Sequence, residues 1–384
     1  MKNNNKLLHI IDSMALVPVP AHFVSDVIKV ELPLLKRFKF GANKFSFPNK
    51  KLFKENEGYD GMELTLWGLF DEYWQVNKQR KDIIKSAGIN TYTFHGCFEG
   101  CPKSLRGYYL NLAEKCSDTF AAIRAQIDIA SELSNKNPIL IFHPGFCDKK
   151  LNRDQAVKNV VENIKPHLDY AQDRNVMITL ENMDYKSEGK MIFYDYQDFE
   201  YLYSQIDHPN LRTTIDWGHM NTNSNNPEVI KRLGKDKIDK FEHITEFIDK
   251  LNNKIIHAHM HYNKSHQING IKKKRNYIND LVYLIFFWTE TVKFLNKGNV
   301  GISVYDKHLP LNRISAEDVD SYRKTVNELL ERTSIRDFGY ITHEISPKKI
   351  FKYFNFIEDG AEYEDLMDSL KIFKAFCGKF NGQI

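Results

Sequence analysis

The 384-residue chain contains no Cys-x-x-Cys pair. Its five cysteines, Cys97, Cys101, Cys116, Cys147 and Cys377, are odd in number. Cys97 and Cys101 stand four apart with no second pair to complete a zinc knuckle. Reduced thiols are expected, not a disulfide framework. Long hydrophobic runs are also missing. The longest apolar cluster, LVYLIFFW (Leu281 to Trp288), is far too short to span a bilayer. The apolar stretch near the start is broken by His9, Asp12 and Ser13, so no signal peptide is expected. A strong charge excess is absent too. A net charge of +4 neither demands nor excludes nucleic acid, because local patches matter more than the sum. A soluble cytoplasmic protein with no membrane partner is the expectation, and the oligomeric state stays open.

What the chain does have is enough apolar material, 42% of its residues, to bury a large core. A pattern also recurs from about residue 38. Eight short apolar or β-branched runs each end in polar residues: FKFGANKFSF, YDGMELTLWG, INTYTFHGCF, NPILIFHPGF, NVMITLENM, LRTTIDWGHM, KIIHAHMHYN and FGYITHEIS. Stretches with apolar residues three and four apart separate them. The clearest are DEYWQVNKQRKDIIKSAG, KSLRGYYLNLAEKCSDTFAAIRAQIDIASELS, NRDQAVKNVVENIKPHLDYAQDR, DYQDFEYLYSQI and DKFEHITEFIDKLN.

Parallel strands need crossover connections, and the usual one is a helix. Eight such units predict an α/β fold, a (β/α)8 barrel. A doubly wound open sheet fits less well, because the polar residues fall at the C-terminal ends of nearly all the runs. In a barrel those ends converge on one mouth. The expected organisation is an N-terminal extension at 1–37 and a single barrel domain at 38–384. A segment at 262–304, inserted between strands seven and eight, carries IKKKR and an aromatic stretch.

The polar ends are rich in metal-binding types. The third run ends at His95 and the fourth at His143. The fifth gives Glu181. The sixth gives Asp216 and, three residues on, His219. The seventh gives a row of alternating histidines, His257, His259 and His261. Asp306 and His308 follow the insertion, and the eighth run gives Glu344. A buried charge is costly unless paired or bound to a metal, and these ends carry no Lys or Arg to pair with. Imidazoles and carboxylates together suit Zn²⁺, Mn²⁺ or Fe²⁺. Singly, each is read more readily as a hydrogen-bonded core residue. It is the clustering that points to a divalent metal site, with donors enough for two or three ions.

Within the histidine row, alternation puts all three on one strand face. His257 is expected a layer deeper, as a hydrogen-bonded imidazole. His261 is expected at the rim or in the loop, leaving His259 as the ligand. Glu63, in GMELTL, is read as a structural or substrate-side carboxylate. Cys97 and Cys147 are read as packing residues near the mouth. His22, His167, His208, His243 and His266 are read as surface or loop residues.

FHPG, Glu-Asn, Asp-x-x-His and Asp-x-His, in this order, resemble the xylose isomerase-like TIM-barrel superfamily, and within it the endonuclease IV (AP endonuclease family 2) branch. The resemblance covers about residues 38–348. It implies three zinc ions. His95, His143 and Glu181 would hold the first. Glu181 would bridge to a second, held with Asp216, a strand-seven histidine and Glu344. His219, Asp306 and His308 would hold the third. Glu181 and Glu344 are the residues nearest the chemistry, with Zn the expected metal and Mn, Mg or Fe admitted. It also implies, as partner, DNA with abasic sites, cleaved on the 5′ side. FGANKFSFPN lacks the His of the family's first strand, and YDGMELTLWG, with Glu63, resembles the sugar isomerase and epimerase members, many of which keep a Gly that DKHLPLNRI lacks. The alternative is a metal-dependent isomerase or epimerase acting on a small sugar. A non-catalytic barrel with metal as a structural staple is a third reading.

Overall fold

The structure, a computed structural model, describes most of residues 61–97, 110–147, 152–263, 309–343 and 349–377. Residues 1–60, 98–109, 264–308 and 378–384 lie outside the described residues. So do short stretches at 67–68, 71–72, 87–89, 116–117, 135, 148–151, 185–191, 225–226, 237–239, 336–338, 344–348, 352–355 and 359–362. The expected N-terminal extension, the first run and nearly all of the insertion therefore fall outside them.

Seven parallel strands pair in sequence order: β1 (Met62–Thr65), β2 (Thr91–His95), β3 (Ile139–Phe142), β4 (Met177–Glu181), β5 (Leu211–Asp216), β6 (Ile255–Met260) and β7 (Tyr340–His343). They correspond to the second through eighth apolar runs. The strands form a nearly closed barrel, as contacts across the interior show. Glu63 on β1 reaches His259 on β6. Tyr92 on β2 stacks on Tyr340 on β7, with ring centroids 5.1 Å apart. Ile139, Ile141 and Ile256 pack together, with Met177 and Tyr340 against them. Two antiparallel strands, β8 (Lys349–Phe351) and β9 (Phe356–Glu358), follow the barrel.

Ten α-helices connect and cover the described strands: α1 (Lys78–Ser86), α2 (Thr119–Leu133), α3 (Arg153–Ile164), α4 (Leu168–Asp173), α5 (Tyr196–Gln205), α6 (Trp217–Asn223), α7 (Pro227–Arg232), α8 (Lys240–Leu251), α9 (Ala316–Arg332) and α10 (Tyr363–Phe376). Their apolar faces explain their placement. On α2, Ile123, Ile127 and Ala130 are fully buried at helical spacing. On α3, Val157, Val160, Val161 and Ile164 do the same. Each such aliphatic contributes about 1.5–3 kcal/mol on burial. The start of α3 is fixed by Asn152, whose side chain accepts from the Gln155 N–H at 2.8 Å. Pro166 cannot supply the N–H that would continue that helix, so a 3₁₀ turn (Lys165–His167) separates α3 from α4.

Two helix expectations were too long. The stretch before β2 forms a turn first, with an antiparallel bridge between Phe70 and Val76 and Trp74 at φ 61°. The long stretch before β3 is irregular at 110–115, and only its second half is α2. Periodicity alone does not mark these breaks, because burial of a loop's apolar side chains imitates a helix face. His167 and His243, expected at the surface, are 1% and 0% exposed. His243 packs edge-on against Phe247, one turn on along α8. His167 packs against Phe120 of α2.

Loops at the carboxyl ends of the strands are tied by a buried ion network. Asp195 caps α5, accepting from the N–H groups of Gln197 and Asp198. Its other oxygen accepts from Arg153 and Arg232, and Asp198 pairs with the same two arginines. Burial and the neighbouring Asp195 charge push the Asp198 carboxyl up to about 6, against the pull of the arginines.

Candidate metal centre

Parallel strands bring their carboxyl ends to one mouth, and the polar residues named from the sequence meet there. His95 ends β2, Glu181 ends β4 and Asp216 ends β5. His143 follows β3 directly, and His219 lies in the first turn of α6, which opens on Asp216. His95 and His143 sit with ring centroids 4.7 Å apart.

Glu181 is the hub. It is 1% exposed. Its Oε2 faces the Nε2 atoms of His95 at 3.6 Å and His143 at 3.4 Å. No described donor hydrogen-bonds to that oxygen. Its Oε1 lies 3.3 Å from His259 Nδ1 and 3.5 Å from His219 Nδ1. His95, His143 and Glu181 form one group whose donor atoms all lie within 4.8 Å of one another. Glu181, Asp216 and His219 form a second. Burial alone would raise the Glu181 carboxyl, but the adjoining imidazoles of His259 and His143 hold it well below the usual carboxylate range.

Neighbouring groups fix these donors. His95 Nδ1 lies 3.0 Å from the Gly96 carbonyl, which directs the Nδ1 proton there and the Nε2 lone pair to Glu181. His219 Nδ1 lies 2.8 Å from the Asn182 carbonyl, which directs the Nδ1 proton there and leaves Nε2 as the ring's lone-pair donor. The Asn182 amide clamps two strand ends together. It accepts from the Asp216 N–H at 2.6 Å and donates to the Asp216 carbonyl at 3.1 Å. Asp216 Oδ1 in turn accepts from the His219 N–H at 2.7 Å, capping α6. A metal ion fits this donor set. Donors on a tetrahedral zinc lie about 3.4 Å apart, the spacing seen around the unsatisfied Glu181 oxygen.

In the histidine row, His257 is deep and hydrogen-bonded, as expected, with Nε2 2.9 Å from Thr342 Oγ1 and Nδ1 3.3 Å from Thr214 Oγ1. His261 follows the end of β6 directly and is enclosed. It is 1% exposed, with Nε2 3.3 Å from Asp216 Oδ1. Gly218 makes room for it, since a Cβ there would lie 1.9 Å from the His261 ring. His259 points Nδ1 at Glu181 and Nε2 at Glu63, 2.9 Å away.

Glu63, read from the sequence as a structural or substrate-side carboxylate, is 1% exposed on β1 and sits on the His257–His259 pair. That pairing was not read from the sequence; the available signal was a carboxylate inside an apolar run with no cation beside it. Asp306, His308 and Glu344 lie outside the described residues. Cys97 and Cys147 are buried among the core residues, and burial pushes the Cys147 thiol up.

A nearly closed parallel barrel, with imidazoles and carboxylates that could hold metal ions gathered at the strand ends, defines a (β/α) barrel with its candidate site at the mouth. Residues 53–324 match the family model of the xylose isomerase-like TIM barrel. The chain belongs to that family. An uncharacterised protein of Methanocaldococcus jannaschii is 27% identical over 215 residues, which span 55% of this chain and 64% of that protein. The match thus covers less than two thirds of the relative. Two solved structures share the fold. A D-tagatose 3-epimerase-like protein superposes with a TM-score of 0.51 at 19% identity, covering 85% of this chain and 91% of its own. A candidate xylose isomerase of Rhodospirillum rubrum gives a TM-score of 0.52 at 13% identity, covering 84% of this chain and 91% of its own. No described helix is long and apolar enough to cross a membrane.

Proposed function

We propose that the protein is a metal-dependent phosphodiester hydrolase, acting on DNA at abasic sites. One observation carries the reading: Glu181 belongs to two donor groups at once, one completed by His95 and His143, the other by Asp216 and His219. A carboxylate shared in this way suits a site for more than one ion. A site for a single ion has no need of His95 and His143 as donors.

In this reading His95 and His143 hold one ion with Glu181. Asp216 and His261 hold a second with Glu181 and Glu344, because His261, not His259, directs Nε2 at Asp216. His219, Asp306 and His308 make up the third donor set. When bound, such ions stabilise charge on the attacking and leaving oxygens of a phosphodiester. The protein's own part is to orient. Asn182 holds Asp216, the Gly96 and Asn182 carbonyls set two imidazole tautomers, and burial strengthens every charge at the site. The IKKKR stretch at 271–275 is the proposed phosphate contact.

The test is cleavage of a duplex carrying one abasic site by protein loaded with Zn²⁺, Mn²⁺ or Mg²⁺. Incision 5′ to the lesion is expected, and its loss in His143→Ala. No incision with any of the three metals sinks the reading.

The barrel's likeness to a D-tagatose 3-epimerase-like protein, a likeness of fold, favours a second reading. One ion held by Glu181, Asp216, His259 and Glu344 would polarise a sugar carbonyl. The two glutamates would then move the proton on opposite faces. Ketose epimerisation that survives His143→Ala would select it.

A further inference from the structure

Beneath the mouth, Glu63, His257 and His259 form a third group of convergent donors, outside the two that Glu181 joins. All three are buried, with 1%, 0% and 0% exposure. Thr214 Oγ1 lies 2.7 Å from Thr179 Oγ1 and 3.3 Å from His257 Nδ1. His259 Nδ1 lies 3.3 Å from Glu181 Oε1. Both imidazoles aim Nε2 at Glu63 Oε2, at 2.9 Å from His259 and 3.8 Å from His257.

A proton on His259 Nε2 satisfies the 2.9 Å contact to Glu63 and no other. A cation serves the whole arrangement, for three reasons. The second imidazole converges on the same oxygen. Thr342 Oγ1, 2.9 Å from His257 Nε2, adds a further oxygen donor. Glu63 Oε1 is fully buried, and no described donor hydrogen-bonds to it. The donor separations bracket the roughly 3.4 Å edge of a tetrahedral zinc site. The Nδ1 partners, a hydroxyl and a carboxylate, are of the kind that orient metal-ligating histidines.

We propose that Glu63, His257 and His259 form a separate, enclosed site for a borderline divalent cation such as Zn²⁺. Thr342 lies beside the open position, and the site is coupled to the mouth through His259 and Glu181. It does not rest on the hydrolase reading, since it involves none of the mouth's ligands to the ions.

The test uses the full chain, stripped of metal, reloaded with Zn²⁺ alone, desalted and counted by elemental analysis. Glu63→Gln keeps the side chain's shape and should lose roughly one ion per chain relative to the unaltered protein. Asp216→Asn should lose ions at the mouth and keep the deep one. Losses in the two variants should add in the double variant. Glu63→Gln with native circular dichroism and an unchanged zinc count overturns the proposal, and would leave a proton on His259 as the neutralising charge. Should Glu63→Gln fail to fold, zinc anomalous scattering from crystals of the unaltered protein decides. A peak between Glu63 and His257 Nε2 is expected, and its absence at saturating Zn²⁺ overturns the site.

Discussion

Gly218→Ala tests the packing around His261 most sharply. Gly218 lies in the first turn of α6, where alanine is intrinsically better than glycine by about 1 kcal/mol. The structure predicts the opposite sign. An ideal Cβ would lie 1.9 Å from His261 Cε1, 2.4 Å from its Nε2 and 2.9 Å from Asn263 Nδ2. None of these can yield cheaply. His261 is enclosed, and Asn263 donates to the Gly218 carbonyl at 2.7 Å. Overpacking of this kind costs about 1–3 kcal/mol. Displacing His261 from Asp216 removes a hydrogen bond contributing about 1 kcal/mol more. Set against the helix gain, the net loss is roughly 1–3 kcal/mol. Urea unfolding of metal-free protein measures it, and zinc titration should show weakened binding at the mouth. In a double-mutant cycle, His261→Ala should relieve the clash and return about 1–2 kcal/mol of coupling. A Gly218→Ala protein as stable as the original, with unchanged zinc affinity, would refute the reasoning.

Other expectations follow from the same geometry. Asn182→Ala removes both hydrogen bonds that clamp the ends of β4 and β5, and strands the buried Asp216 N–H. A loss of about 2–3 kcal/mol in urea unfolding is expected, with reduced metal binding. Asp195→Ala strips the α5 cap and leaves Arg153 and Arg232 beside Asp198 alone. Breaking such a network should cost about 3–5 kcal/mol by the same assay, and a loss under about 1 kcal/mol would show the pairs to be solvent-screened. Burial, then the Arg124 charge, pushes His167 down to about 4 from 6.5. A base with a depressed folded value stabilises above its unfolded value and loses that contribution as pH falls through the folded one. Stability should therefore drop between about pH 6.5 and 4 by on the order of 2–3 kcal/mol, and His167→Leu should flatten that limb.

Fold class was legible because strand-forming runs and helical periodicity alternate, and each of the last seven runs became a strand in order. Boundaries were less so. A turn with a local β-bridge at 70–76 carries the same apolar spacing as a helix. At the site, residues at the ends of runs were readable because strand ends share one mouth. Depth within the barrel was not. The ladder between β5 and β6 slips between Thr213 and Thr214, and a slip changes which residues share a layer. The alternation of His257, His259 and His261 therefore could not say which imidazole meets Asp216. The partners of Glu63 escaped for a related reason. They come from β6, nearly two hundred positions away in the chain and across the barrel, and no local pattern links them.

The central claim is that Glu181 joins two metal centres at the mouth. Anomalous diffraction from zinc-loaded crystals tests it directly. The account predicts two zinc peaks sharing Glu181, one against His95 and His143, the other against Asp216 and His261. A single mouth peak with no contact to His95 or His143 would contradict it and turn the reading toward the sugar chemistry.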